Sequence, residues 1–151
     1  MRWLAVSLIV AAVVWPALLA ASAWSRLDGR HPLWSGIVYA AASRVCHQRP
    51  ERSFYTAGVK WPVCGRCSGL YLAAPLGALA AAVAMRRRAR ADRHVLWLAV
   101  AALPTAVTLA VEWLGLAPVS NLARFVAALP LGATIAFVLV RTADGAPESI
   151  R

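Results

Sequence analysis

Residues 68–85 read SGLYLAAPLGALAAAVAM, eighteen consecutive positions without a charged side chain. A helix that crosses the hydrocarbon core of a bilayer needs about 20 predominantly apolar residues, so this stretch predicts a membrane-spanning helix. Cys64 and Cys67 come just before it, and Arg86 follows it directly. The stretch therefore indicates both the fold class and the place where polar, reactive side chains meet the membrane.

The rest of the 151-residue chain has the same character, because 61% of its residues are hydrophobic and only 15% are charged. Soluble domains have about 45–50% apolar and about 25% charged residues. The composition predicts an all-α, polytopic integral membrane protein that forms one domain over residues 1–151. Its net charge of +10 comes largely from arginines at the edges of apolar blocks, which favours anionic lipid headgroups over nucleic acid as the partner.

About four transmembrane helices are predicted in all. The other three spans are residues 3–25, 95–116 and 123–140. Ala21-Ser22-Ala23, near the end of the first span, has the small-x-small pattern of a signal-peptidase site, so cleavage as a signal peptide is the alternative to a retained anchor. Residues 33–42 are too short to cross a bilayer and predict an interfacial or re-entrant helix, and residues 141–151 form a polar tail.

The placement of cations predicts the orientation of the chain. Residues 86–94, RRRARADRH, contain five arginines, and such loops stay in the cytoplasm. Both termini then lie in the cytoplasm, and residues 26–67 lie outside a multi-pass protein of the cell inner (plasma) membrane. The outer segment carries more cations than an external loop usually has, which indicates that these cations have partners.

Small residues recur at four-residue spacing in two predicted spans. They are Gly69, Ala73, Gly77 and Ala81 in the second span and Ala128, Gly132 and Ala136 in the fourth. Lipid tails are as apolar as leucine, so membrane helices associate through close packing at such positions. The spacing predicts specific helix packing, although an alanine-rich chain also produces such runs by chance.

Glu112 and Arg124 are the charged residues nearest the membrane interior, on either side of the turn between the third and fourth spans. A lone charge at the bilayer centre costs about 2.5–3.5 kcal/mol on insertion scales, so each side chain must find a partner or reach the interface. An ion pair between them is the economical interpretation. Separate snorkelling to the headgroups, or a proton or ion pathway, are the alternatives.

All three cysteines of the chain lie between residues 46 and 67. The Cys64-Gly65-Arg66-Cys67 pair has the spacing of a metal-binding knuckle, and Cys46 supplies a third thiolate for an ion such as Zn²⁺, which usually takes four ligands. Because Cys46 and His47 are adjacent, an irregular backbone is needed for both to reach one ion. The fourth ligand is therefore His47, His31 or a water molecule.

Two other interpretations of the cysteines stay open. Cys64 and Cys67 can cycle between dithiol and disulfide on an oxidising side of the membrane, with nearby cations lowering the thiol pKa. The cysteines can also be small hydrophobic residues without chemistry. Independently, Arg49, Arg52, Ser53 and Arg66 have the side chains that bind an anion or a lipid headgroup.

Three segments carry a resemblance to a known family: Cys-His-Gln at residues 46–48, Pro-x-Arg-Ser-Phe at 50–54 and Pro-x-Cys-x-Arg-Cys-x-Gly-x-Tyr at 62–71. In these the chain resembles a bacterial family of small integral membrane proteins called domain of unknown function 2085. The resemblance implies a membrane fold with this motif. It also implies an acidic residue in the third span and a Ser-Thr-Asn-Leu-Arg-like entry to the fourth. Here the chain departs from the pattern, because it offers Glu112 and only a loose equivalent of the entry, VSNLAR, at residues 119–124. The resemblance implies no particular activity.

The sequence thus predicts a four-helix membrane protein with one Zn²⁺ site, formed by Cys46, His47, Cys64 and Cys67, in a structural or regulatory binding role. It contains no glycine-rich phosphate loop and no hydrolytic triad, so no catalytic residues are assigned. One alternative is a membrane thiol-disulfide oxidoreductase that uses Cys64 and Cys67. The other is a protein related to small-solute or ion transport.

Overall fold

The computed structural model describes residues 2–29, 31–86 and 94–145. In chain order the elements are α1 (Arg2–Asp28), α2 (Pro32–Ser43), a 3₁₀ turn (Pro50–Arg52), β1 (Ser53–Thr56), β2 (Val59–Cys64), α3 (Gly65–Arg86), α4 (His94–Trp113) and α5 (Asn121–Gly145). The predicted all-α class is confirmed, with one small hairpin in addition. Most of the basic loop at residues 86–94 and the end of the polar tail lie outside the described residues.

Among the described residues, four helices are long and apolar enough to cross a membrane, as predicted. They comprise Trp3–Asp28, Gly65–Met85, His94–Trp113 and Asn121–Asp144. Many of their apolar side chains, such as Leu103 and Val107 of α4, are exposed in the isolated chain, as expected for surfaces that contact lipid. The chain is therefore consistent with a multi-pass membrane protein.

Helix boundaries differ from the predicted ones in ways that matter for the site. The second span, α3, begins at Gly65 rather than at residue 68, so Cys67 lies in the first turn of α3. The fourth helix ends at Trp113 rather than at residue 116, because Gly115 adopts φ 65° and its N–H donates to the Glu112 carbonyl at 3.2 Å. This is the usual left-handed termination of a helix by glycine.

The most extensive helix contact joins α3 and α5, and small residues make it. A Cβ atom added at Gly77 would lie 1.8 Å from the Ala133 carbonyl oxygen, and one at Gly132 would lie 2.2 Å from that of Leu70. Only glycine permits backbones to come so close. The packing predicted from the four-residue spacing is confirmed at these positions.

The β1–β2 hairpin connects α2 to α3 and was not predicted. Its strands pair antiparallel, with Ser53 opposite Cys64, and its two-residue turn places Ala57 at φ 47° and Gly58 at φ 81°. Positive φ at both central residues is typical of the type I′ turns that close tight hairpins. The hairpin packs on α5 through Phe54, whose ring centroid lies 5.8 Å from that of Phe125.

Hydrogen bonds fix the hairpin to α2, which matches the short helix predicted at residues 33–42. The Tyr39 hydroxyl donates to the Lys60 carbonyl oxygen. The Lys60 ammonium donates to the Gln48 carbonyl at 2.7 Å, and the Gln48 amide donates to the Tyr39 carbonyl at 2.7 Å. This closed ring of contacts brings the end of β2 beside the residues that follow α2.

Candidate metal centre

The three cysteine sulfurs converge on one point at the end of the bundle where the hairpin lies. Their Sγ atoms all lie within 4.8 Å of one another, and none forms a disulfide. Cys46 follows α2, Cys64 is the last residue of β2, and Cys67 lies in the first turn of α3. The loop after α2, the end of β2 and the first turn of α3 therefore each contribute one soft donor.

The backbone around Cys46 directs amide groups at its sulfur. Gln48 adopts φ 49°, and its N–H donates to Cys46 Sγ at 3.5 Å. The Cys64 N–H donates to the same sulfur at 3.2 Å. Amide donors of this kind stabilise a thiolate and are the contacts that orient ligands around a bound metal.

The cluster also favours ionisation of Cys46. The Cys64 and Cys67 thiols, which donate hydrogen bonds to its sulfur, together with the backbone amides of Cys64 and Gln48, hold the pKa of Cys46 well below its usual range. A thiolate, not a thiol, is the form that binds a metal or attacks a disulfide. Of the three cysteines, Cys46 is thus the one whose surroundings favour the thiolate form, which both metal binding and attack on a disulfide require.

The spacing of the sulfurs fits a single ion. Zn–S bonds of about 2.3 Å in a tetrahedral site place neighbouring sulfurs about 3.8 Å apart, and the observed limit is 4.8 Å. An iron–sulfur cluster interposes several atoms between its cysteines and needs a wider arrangement. The three cysteines can therefore hold one metal ion after small side-chain adjustments.

The two histidines considered from the sequence are placed differently from the cysteines. Among the described residues, the converging donors are the three cysteines alone. His47 is exposed, although it lines the same cavity as the cysteines. His31 is exposed and precedes α2. Within the part of the chain that the structure describes, three protein donors would therefore hold the ion, and a four-coordinate ion would take its fourth ligand from elsewhere.

A cavity of about 490 Å³ adjoins the cluster. Its wall carries the three cysteines together with cationic and aromatic side chains, namely His47, Arg49, Arg52, Arg66, Trp113 and Arg124. Ser53, which the sequence grouped with these arginines, is buried instead. Its hydroxyl donates to the Arg49 carbonyl at 2.8 Å, so Ser53 stabilises the turn that presents Arg49 and Arg52.

Glu112 lies at the centre of an ion cluster behind this wall. Its side chain is only 8% exposed, and its Oε2 accepts a hydrogen bond from Arg66 Nη2 at 2.6 Å. Its Oε1 accepts one from Arg124 Nε at 2.7 Å. The contact between Glu112 and Arg124 is the one that the sequence suggested, whereas the contact with Arg66 was not anticipated.

The ion cluster joins the ends of three helices. Arg66 lies in the first turn of α3, Glu112 in the last turn of α4 and Arg124 in the first turn of α5. Arg124 Nη1 also donates to Asn121 Oδ1 at 2.6 Å, and Asn121 Nδ2 donates to the Ser53 carbonyl at 3.0 Å. Because Arg66 lies between Cys64 and Cys67, this network fixes the orientation of the cysteine pair. The one feature of the sequence that could have indicated a link between the ion cluster and the cysteines was the position of Arg66 inside the Cys-x-x-Cys pair.

Fold and site together define a four-span, multi-pass membrane protein with a three-cysteine cluster at one end of its bundle. The chain belongs to the family described as "Predicted membrane protein (DUF2085)", whose model matches residues 46–138. That match begins at Cys46 and continues through most of α5, so it includes the whole cluster and the ion cluster. Membership confirms the resemblance identified from the sequence.

Two relatives, both archaeal, are similar to the chain. An uncharacterized protein of Methanocaldococcus jannaschii is 31% identical over 103 residues, which cover 68% of this chain and 66% of the relative. An uncharacterized protein of Methanothermobacter thermautotrophicus is 34% identical over 92 residues, covering 61% of this chain and 81% of the relative. No solved structure matches.

Proposed function

We propose that Cys46, Cys64 and Cys67 bind one Zn²⁺ ion and that the ion fastens the segment between α1 and α3 onto the helical bundle. The observation that carries the proposal is the convergence of three sulfurs, from three separate segments of the chain, to within 4.8 Å of one another. Thiolates are soft ligands that select Zn²⁺, Cu⁺ and iron–sulfur centres. The single-ion spacing argues against an iron–sulfur centre and fits Zn²⁺ or Cu⁺; of these two ions we propose Zn²⁺.

A structural role follows from the weakness of the segment without a metal. A two-stranded hairpin is marginally stable in water by itself, and here its strands have four and six residues. A metal bound to the loop after α2, to β2 and to α3 reduces the conformational entropy of the unfolded segment. Its binding free energy also contributes to the free energy of folding. The ion therefore stabilises the outer edge of the bundle, and its presence or loss can regulate what that edge binds.

Three thiols in contact also support a second candidate, a membrane thiol-disulfide oxidoreductase. In this reaction Cys64 and Cys67 form a disulfide and give up two electrons and two protons, which a quinone or a partner disulfide accepts. The distance between the Cys64 and Cys67 sulfurs, which is within 4.8 Å, supports it. A transport role has less support, because the buried carboxylate of Glu112 is already bound by two arginines.

The orientation of the chain is also a proposal. Cys46, the hairpin and the ends of α3, α4 and α5 that meet at Glu112 all lie at one end of the bundle. The arginines of residues 86–94 belong to the connection at the opposite end of α3. With that connection in the cytoplasm, the cysteine cluster lies on the outer face of the plasma membrane, near anionic headgroups.

Metal analysis of protein purified without chelators tests the zinc proposal. We expect about one zinc per chain in the wild type, as one site implies, and loss of zinc in the variant Cys64→Ser, Cys67→Ser. His47→Ala, compared with the matched variant His31→Ala, tests whether His47 is the fourth ligand. Metal-free wild type with a titratable disulfide between Cys64 and Cys67 would reject zinc in favour of the oxidoreductase.

A further inference from the structure

The cavity beside the cysteine cluster is lined by side chains of two different chemistries. Three of them are the cysteines Cys46, Cys64 and Cys67, and four are the arginines Arg49, Arg52, Arg66 and Arg124. At about 490 Å³ the cavity is large enough for a small ligand, since ligand pockets have volumes of about 300–1,000 Å³. Trp113 adds an exposed aromatic side chain at its edge.

The four arginines differ in their partners. Arg66 and Arg124 are held by Glu112. Within the described ranges, Arg49 and Arg52 have no carboxylate within salt-bridge distance. Arg49 is also exposed, so its guanidinium group is accessible to an acceptor from outside the chain.

The charges of the side chains around the cavity indicate which kind of ligand it binds. Four guanidinium groups set against the single carboxylate of Glu112 leave three positive charges. A divalent ion with three thiolate ligands carries one negative charge. About two positive charges then remain around the cavity, which favours a dianionic phosphate group over a monoanionic carboxylate.

We infer that the cavity binds a phosphate group, either free or at the end of a lipid headgroup, through the side chains of Arg49 and Arg52. The inference rests on the proposed zinc site, because the charge balance counts all three sulfurs as thiolates bound to one divalent ion. Arginine binds phosphate oxygens through two parallel N–H groups. Arg66 and Arg124 are already oriented by Glu112, so they require no reordering when the ligand arrives.

The turn at residues 49–53 presents the two unpaired arginines. The Arg52 N–H donates to the Arg49 carbonyl at 3.1 Å, and the Ser53 hydroxyl donates to the same carbonyl. These bonds use the backbone of Arg49 and leave its guanidinium for the ligand. Replacing either arginine side chain therefore leaves the turn intact, which makes the variants suitable for binding measurements.

Titration calorimetry with inorganic phosphate, on zinc-loaded protein in a phosphate-free detergent, tests the inference. We expect saturable binding to the wild type and a loss of affinity of at least about tenfold in the variant Arg49→Gln, Arg52→Gln. Arg44→Gln is the matched control, because Arg44 is exposed and does not line the cavity. The zinc content of each sample is measured at the same time.

The source of the phosphate is distinguished in nanodiscs. If a lipid headgroup is the natural ligand, phosphatidic acid nanodiscs, whose lipid has a terminal phosphate, will weaken the binding of added phosphate relative to phosphatidylglycerol nanodiscs, which are also anionic but have only a phosphodiester. If free phosphate is the ligand, the two kinds of nanodisc will give the same affinity. Either result supports a phosphate site, provided that Arg49→Gln, Arg52→Gln abolishes it.

Failure of this inference is separable from failure of the zinc proposal. Zinc-loaded wild type that shows no saturable phosphate binding, or that binds equally well after Arg49→Gln, Arg52→Gln, would overturn the phosphate site and leave the metal site standing. Wild type that contains no zinc would contradict the proposed function, and with it the charge balance on which the phosphate site depends.

Discussion

The packing of α3 on α5 predicts the effect of one added methyl group. In Gly77→Ala, the new Cβ would lie 1.8 Å from the Ala133 carbonyl oxygen, whereas ordinary contact begins at 3.4 Å, so α3 and α5 must move apart by about 1.6 Å there. Overpacking of this kind costs about 1–3 kcal/mol. We expect a cost near the upper end, because the obstructing atom belongs to a backbone rather than to a flexible side chain.

The control is Gly36→Ala in α2, where no atom lies within 4 Å of the added Cβ. Both substitutions replace glycine by alanine inside a helix, which favours folding by about 1 kcal/mol. We therefore expect Gly77→Ala to lower the free energy of unfolding by about 2 kcal/mol and Gly36→Ala to raise it by about 1 kcal/mol. Equilibrium unfolding in mixed micelles of dodecyl maltoside and sodium dodecyl sulfate, followed by circular dichroism, measures both. Equal effects of the two variants would refute the close packing of α3 on α5.

Three further predictions concern the ion cluster, the hairpin and the orientation. Glu112→Gln will lower the free energy of unfolding by about 3–5 kcal/mol, because it leaves two buried arginines unpaired; the exposed Glu51 is the control, and a comparable loss in Glu51→Gln would contradict the assignment. Removing zinc with a chelator will increase tryptic cleavage after Lys60 in the wild type but not in the variant Cys64→Ser, Cys67→Ser; unchanged cleavage in the wild type would argue against fastening by metal. A reporter fused after Arg151 will score as cytoplasmic, and an external score would invert the proposed topology.

Hydropathy was sufficient to predict the four spans, because in lipid a long uncharged stretch has few alternatives to a helix. The residues at which these helices begin and end were harder to predict. Residues 65–67 are polar and read as a loop, yet they form the first turn of α3, where Arg66 finds Glu112. The pairing of Glu112 with Arg124 across the turn after α4 could be predicted from the sequence. The contact of Glu112 with Arg66 could not, because it depends on how α3 packs against α4.

The β1–β2 hairpin was not predicted because the residues of its turn are not those that usually mark a two-residue turn. Ala57-Gly58 replaces the Asn-Gly or Asp-Gly pairs that normally mark a two-residue turn, and Pro62 lies inside the second strand, where proline usually argues against a strand. The convergence of the three cysteines followed from their spacing. The placement of His47 did not, because the direction of a side chain next to Cys46 depends on a backbone that enters the left-handed region at Gln48.

X-ray absorption at the zinc edge of the purified wild type tests the convergence of the three sulfurs most directly. The account predicts one zinc with three sulfur neighbours at about 2.3 Å and one lighter neighbour, nitrogen or oxygen. A zinc without sulfur neighbours, or with only two, would contradict the proposal that Cys46, Cys64 and Cys67 bind the same ion.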